Sequence, residues 1–129
     1  MTATIAKQVV VGVDDDFRVR EAIVSLVESS GYASLVFSSA EEFLESGTLA
    51  GTSCLVTDVR MSGIDGIELQ RRARLVRKNL PIIFISAHRD DAIRQQALDG
   101  GAVEFMYKPF DAADLLGAID RVLKQQPAK

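Results

Sequence analysis

The chain has 129 residues, 47% of them hydrophobic, a formal net charge of −3 and a pI near 5.1. That length suits one compact core with a central sheet covered on both faces, and the acidic balance argues against nonspecific nucleic-acid binding by this segment, which needs a basic face to neutralise phosphates. Only Lys7 is positively charged ahead of the first apolar run and no long apolar stretch follows, so neither a secretory leader nor a membrane span is expected.

Strands and helices alternate five times along the chain. The run Val9-Val10-Val11-Gly12-Val13 reads as a buried strand ending in Asp14, Asp15 and Asp16. Asp16 is expected to cap a helix whose apolar face is Val19, Ala22, Ile23, Leu26 and Val27 and which ends at Gly31. Leu35-Val36-Phe37 is a short second strand. Ser39 then caps a helix from Ala40 to Glu45, with Glu42 as its capping-box partner. The third strand, Cys54-Leu55-Val56-Thr57, ends in Asp58. Cys54, the one cysteine, has no internal disulfide partner and reads as an inert core residue of a protein in the reducing cytoplasm. After a loop from Met61 to Gly66, Asp65 caps a helix expected to point Leu69, Ala73 and Val76 inward and Arg71, Arg72, Arg74, Arg77 and Lys78 outward as a solvated face. The run Pro81-Ile82-Ile83-Phe84-Ile85 ends in Ser86-Ala87. A helix marked by Ile93, Ala97 and Leu98 follows, then Val103-Glu104-Phe105-Met106-Tyr107 ending in Lys108-Pro109-Phe110, and a last helix with Leu115, Ile119, Val122 and Leu123. The expected core is about residues 7 to 124 of one domain covering 1 to 129, with a polar, frayed tail from Gln125 to Lys129.

In an open parallel sheet the carboxyl ends of the strands form the ligand crevice. Asp14, Asp15 and Asp58 all stand at such ends, and carboxylates brought that close repel one another and stay ionised more easily around a divalent cation. The Ser86 hydroxyl and the Lys108 ammonium join them on the same edge as donors that an incoming phosphoryl group would use. Together these groups read as an aspartate that receives phosphate.

The acidic doublet Asp14-Asp15, Asp58 followed by Met61-Ser62-Gly63-Ile64-Asp65-Gly66, the Ser86-Ala87 pair and Lys108-Pro109-Phe110 resemble the receiver domain of bacterial two-component response regulators. The resemblance runs from about Lys7 to Leu123. In its wording, Ser39-Ala40-Glu41-Glu42-Phe43-Leu44 and Asp58-Val59-Arg60-Met61 above all, it is most similar to the FixJ-type transcriptional regulators. It implies a flavodoxin-like α/β sandwich, (βα)5, with a parallel sheet of order 2-1-3-4-5. Asp58 would be the phosphoacceptor, Asp15 a direct Mg²⁺ ligand, Asp14 a ligand acting mainly through water and the Arg60 carbonyl the third protein oxygen, with Mn²⁺ a substitute for the magnesium. Lys108 and Ser86 would contact the phosphoryl oxygens, Arg60 and His88 would tune hydrolysis, with His88 reading equally as an exposed loop residue, and the Lys108-Pro109 peptide would be cis.

The same resemblance implies a sensor histidine kinase as phosphoryl donor and a switch in which Ser86 and Phe105 move together, the alternative for Phe105 being a plain core residue of its strand. The change would pass to the surface from His88 to Lys124, which would contact a second receiver or an output domain, with DNA reached only through that output. The result is a signalling switch that catalyses its own phosphotransfer and dephosphorylation, not an enzyme that turns over external substrates. Two outputs stay open, half of a transcription factor and a free-standing receiver acting by protein contact. Ser62 departs from the family, where proline is usual, and restores a backbone N–H that loosens the loop. Three rivals are weaker. An aspartate-nucleophile phosphatase needs an acid where Arg60 stands, and a flavin carrier needs a Ser/Thr/Gly-rich loop after the first strand. A phosphorylation-independent binding module would be expected to lack Asp58, Lys108 or an acid of the pair.

Overall fold

The computed structural model describes residues 7–124; the expected frayed tail lies outside them. Five strands, β1 (Val9–Val13), β2 (Ala33–Phe37), β3 (Cys54–Asp58), β4 (Ile82–Ser86) and β5 (Glu104–Tyr107), alternate with α1 (Phe17–Ser29), α2 (Ala40–Glu45), α3 (Gly66–Val76), α4 (Asp91–Asp99) and α5 (Ala112–Lys124). A single 3-10 turn, Leu49–Gly51, precedes β3. The sheet is parallel, in the order β2-β1-β3-β4-β5, as the resemblance implies.

Both faces of the sheet are covered, which is why β3 and β4 are buried at every position. Successive side chains point to opposite faces, so the alternating residues of each strand feed two separate cores. Val11, Val13, Leu55 and Phe84 pack with Phe43 of α2 and Leu69 and Ala73 of α3. Val10, Cys54, Val56, Ile83 and Ile85 pack with Ile23 and Val27 of α1 and Leu115 and Ile119 of α5. Gly12 belongs to the second face, where a Cβ would come within 3.0 Å of the Ile23 side chain, so glycine lets α1 lie close on β1. Burial pushes the Cys54 thiol up to about 12, in keeping with an inert core residue.

The helix ends are built much as the sequence reads. Asp16, Ser39 and Asp65 accept from the backbone N–H groups of Arg18, Glu42 and Glu68, each satisfying an orphan donor of the first turn. Gly31 follows the Ser30 cap of α1 with φ +90°. The box around Ser39 is shifted by one residue, because the Glu42 carboxylate accepts from the Ser38 N–H, not that of Ser39.

Two expectations for α3 are corrected. Val76 is exposed, not inward, because α3 stops there and Leu80 turns into the core in its place. Arg74 and Arg77 are not free solvated charges. Arg74 donates to the carbonyls of Gly100, Gly101 and Lys78 at 2.7 to 2.9 Å, and Arg77 to those of Leu49, Ala50 and Thr52 at 2.9 to 3.1 Å. Guanidinium forks are suited to collecting several carbonyls at element ends. Buried Gln70 adds a bond of 2.9 Å to the Ala97 carbonyl, so α3 holds the carboxyl end of α4 at three points.

Phe84 is wholly buried and Val76 is not. Truncating Phe84 to alanine is expected to cost about 3–5 kcal/mol of stability. Val76→Ala should stay within about 0.5 kcal/mol. Urea unfolding of the two variants checks the contrast, and a large loss at Val76 would contradict the position of the end of α3.

Candidate functional site

Strand register assembles the site. Val13 of β1 is paired with Thr57 of β3, so the next residues along each strand, Asp14 and Asp58, leave the sheet side by side. Asp15 completes a group of three carboxylates whose oxygens lie within 4.8 Å of one another. Lys108 follows Tyr107, which pairs with Ser86 on β4, and its backbone N–H donates to the Ser86 carbonyl at 2.8 Å. From there its side chain reaches across β4, placing Nζ 2.9 Å from Asp14 Oδ2 and 3.1 Å from Asp58 Oδ2.

Asp14 is fully buried, Asp58 nearly so, and Asp15 exposed. Backbone groups orient the first two. Asp14 Oδ1 accepts from the Asp16 N–H at 2.8 Å and its carbonyl from the Arg20 guanidinium at 2.9 Å. Asp58 Oδ1 accepts from the Val59 N–H at 2.7 Å. Burial raises the Asp14 carboxyl above the usual carboxylate range, against the Asp16 N–H and the Lys108 ammonium, which favour its ionised form; the charge on Asp58 adds to the rise. For Lys108 burial acts to lower the pKa, but the carboxylates of Asp14 and Asp58 outweigh it and the net direction is upward. The ammonium thus stays charged between two acids.

Three oxygen donors, one of them driven toward its neutral form by burial, match a hard divalent cation, which prefers carboxylate oxygens and favours their ionisation. A site of this kind can hold a metal while leaving an Asp58 oxygen beside an ammonium. That arrangement suits chemistry on a phosphoryl group.

The other residues expected at the site are arranged around this group. Ser86 is buried at the end of β4, but its hydroxyl donates to the His88 carbonyl at 3.2 Å and accepts from the His88 N–H at 3.1 Å. The His88 side chain is exposed. The Arg60 guanidinium points to Asp90, at 4.0 Å, an exposed pair that contributes little by itself. Phe105 is buried, stacked on Phe84 at 5.8 Å and edge-on to Tyr107 at 5.5 Å between ring centroids. The Lys108–Pro109 peptide is cis.

The sequence reading missed Glu41. Its Oε2 accepts from the Ile64 N–H at 2.9 Å, so the loop that carries Ser62 in place of proline is tied to α2. No local signal marks this bond, which joins residues 23 apart; Glu42 carries the capping pattern that draws attention instead.

The model of the response regulator receiver domain matches residues 10–120. The chain belongs to this family. TodT, a response regulator protein of Pseudomonas putida, is 44% identical over 114 residues, which are 88% of this chain and 50% of TodT. FixJ of Azorhizobium caulinodans, a transcriptional regulatory protein, is 39% identical over 107 residues, 83% of this chain and 51% of FixJ. The solved structure of the response regulator StyR superposes with a TM-score of 0.84 at 42% identity, over 92% of this chain and 60% of StyR. The receiver therefore spans about half the length of the curated relatives it matches, and its likeness to FixJ agrees with the wording of its motifs.

With its folded-state pKa raised, Asp14 contributes most to stability when protonated, below its unfolded value, and that contribution is lost as pH rises through the folded value. In chelator at pH 7, Asp14→Asn is therefore expected to raise the thermal midpoint of the receiver, and the gain should fade as pH is lowered through the acid range. Melting curves across pH check this. A lower midpoint at pH 7 would mean that the pairing with Lys108 outweighs burial.

Proposed function

We propose that this receiver is a phosphorylation switch in which Asp58 accepts a phosphoryl group from the phosphohistidine of a sensor kinase. The observation that carries this reading is the convergence of Asp14, Asp15 and Asp58 with Lys108 Nζ 3.1 Å from the Asp58 carboxylate, at the carboxyl edge of the sheet. In the transfer an Asp58 oxygen attacks phosphorus in line. The new P–O bond forms as the P–N bond breaks, and the departing imidazole keeps the electron pair. The Val59 N–H holds the carboxylate in one rotation, and Lys108 pairs with oxygens of the transferring group. Asp14, Asp15, Asp58 and the Arg60 carbonyl would hold Mg²⁺, or Mn²⁺ in its place, which when bound neutralises phosphoryl charge.

Ser86 now spends its hydroxyl on the His88 backbone. For it to reach a phosphoryl oxygen that pair must open, and the segment after β4 moves with it. Phe105, at the edge of the same core, adjusts to the space left behind. The two packings differ in their affinity for phosphate, which is the condition for phosphorylation to shift their populations. Water attack on the acyl phosphate resets the switch, at a rate tuned by Arg60 and His88. The receiver modifies itself and turns over no external substrate. The surface of α4, β5 and α5 passes the change to a second receiver or to an output domain, through which DNA would be reached; the kinship with a transcriptional regulatory protein supports a transcriptional output. Residues 1 to 129 act as one receiver unit, in the cytoplasm. Among the described residues no helix is long and apolar enough to cross a membrane.

Incubation with phosphoramidate, with and without Mg²⁺, followed by intact-mass measurement tests this function. The expected result is one phosphate adduct that needs Mg²⁺ and vanishes in Asp58→Asn. Lys108→Met should slow its formation by about a hundred-fold, the scale on which a charge-stabilising donor acts. A folded wild-type chain that binds Mg²⁺ and takes no phosphate would instead be a phosphorylation-independent binding module.

A further inference from the structure

We propose that Glu41 is a positioning residue for the phosphoacceptor site, a strap from α2 that holds the loop after Asp58 in the conformation from which Arg60 offers its carbonyl. The proposal rests on the phosphoacceptor reading above. The loop is closed at its two ends, by the Gly66 N–H on the Val59 carbonyl at 2.7 Å and by Asp65, which caps α3. Between them, among the described residues, the backbone from Met61 to Ile64 has one hydrogen bond, the Ile64 N–H on Glu41 Oε2 at 2.9 Å. Met61 and Ile64 pack part of their surface on the core, but apolar contact is non-directional and leaves the peptide planes free to turn. A charge-assisted bond to one N–H supplies the direction.

The backbone is shaped to admit the carboxylate. Gly63 has φ +77°, and a Cβ there would collide with Glu41 Oε2. Glycine thus serves both the left-handed turn and the close approach. The Ile64 N–H holds the Glu41 carboxyl below its ordinary range, so the strap is ionised at neutral pH. Its other oxygen, Oε1, is buried, and the residue's own backbone N–H is the second influence that favours the ionised carboxylate. Arg60 stands between the phosphoacceptor and the start of this loop at Met61, so freeing the loop's middle would loosen the carbonyl at Arg60 without removing any carboxylate from the site.

The test compares Glu41→Ala, Glu41→Gln and Gly63→Ala with the wild-type chain. The readouts are Mg²⁺ binding by titration calorimetry, the Mg²⁺ dependence of phosphorylation by phosphoramidate, and hydrogen exchange of the Ile64 amide. Glu41→Ala is expected to weaken Mg²⁺ binding by about five- to ten-fold, the scale of one charge-assisted bond. At saturating Mg²⁺ the phosphorylation rate should stay within about two-fold, and Ile64 exchange should speed up. Gly63→Ala, which pushes the carboxylate away, should repeat this result. Glu41→Gln keeps an oxygen acceptor at the same reach and should stay within about three-fold of wild type. Equal losses in the alanine and glutamine variants would overturn the proposal, since charge alone would then account for the effect. Unchanged Mg²⁺ binding in a folded Glu41→Ala would overturn it as well. No adduct in the wild-type chain would sink the phosphoacceptor reading but not the strap, which calorimetry and exchange decide without phosphorylation.

Discussion

The structure turns on one electrostatic constraint, the need to keep acidic groups close together where water is scarce. Asp14 is fully buried and lies beside Asp58. In a medium of low effective dielectric, two carboxylates at that separation repel strongly unless a positive charge lies between them. Lys108 supplies that charge, contacting both at 2.9 and 3.1 Å. Burial still lifts Asp14 above its usual range. A site in this condition is receptive to a divalent cation, and an incoming phosphoryl group would give the ammonium a third anion to pair with.

Holding these charges in place is the work of the sheet. The β1–β3 register sets Asp14 against Asp58, and β5 delivers Lys108 from two strands away. Because each strand contributes to two cores, α1 and α5 on one face and α2, α3 and α4 on the other, none of the three can shift without disturbing close packing on both sides. Rigidity here is a property of the layers, and the acidic edge inherits it.

The far side of β4 is held unevenly. The carboxyl end of α4 is bound to α3 through Gln70 and Arg74. The segment leading into its amino end is tied by the Ser86 hydroxyl on the His88 backbone, by the Arg89 guanidinium over the Tyr107 ring of β5 at 4.2 Å and by an exposed pair between Arg60 and Asp90.

The alternation of elements, the capping residues Asp16, Ser39 and Asp65, and the gathering of Asp14, Asp15, Asp58, Ser86 and Lys108 on one sheet edge were all legible in the chain. They depend on local rules: apolar period, cap chemistry, and the placement of polar residues where buried runs end. The exposure of Val76, the carbonyl-binding roles of Arg74 and Arg77, the direction of the Ser86 hydroxyl and the bond from Glu41 to Ile64 were decided only by the tertiary structure. Each of these depends on where a helix stops or on which backbone group a side chain meets. The bonds of Glu41, of Arg77 and of Arg74 to Gly100 join residues 23 to 28 positions apart, beyond the reach of any pattern of near neighbours, whereas the Ser86 hydroxyl meets a backbone only two residues on, whose position the turn after β4 decides.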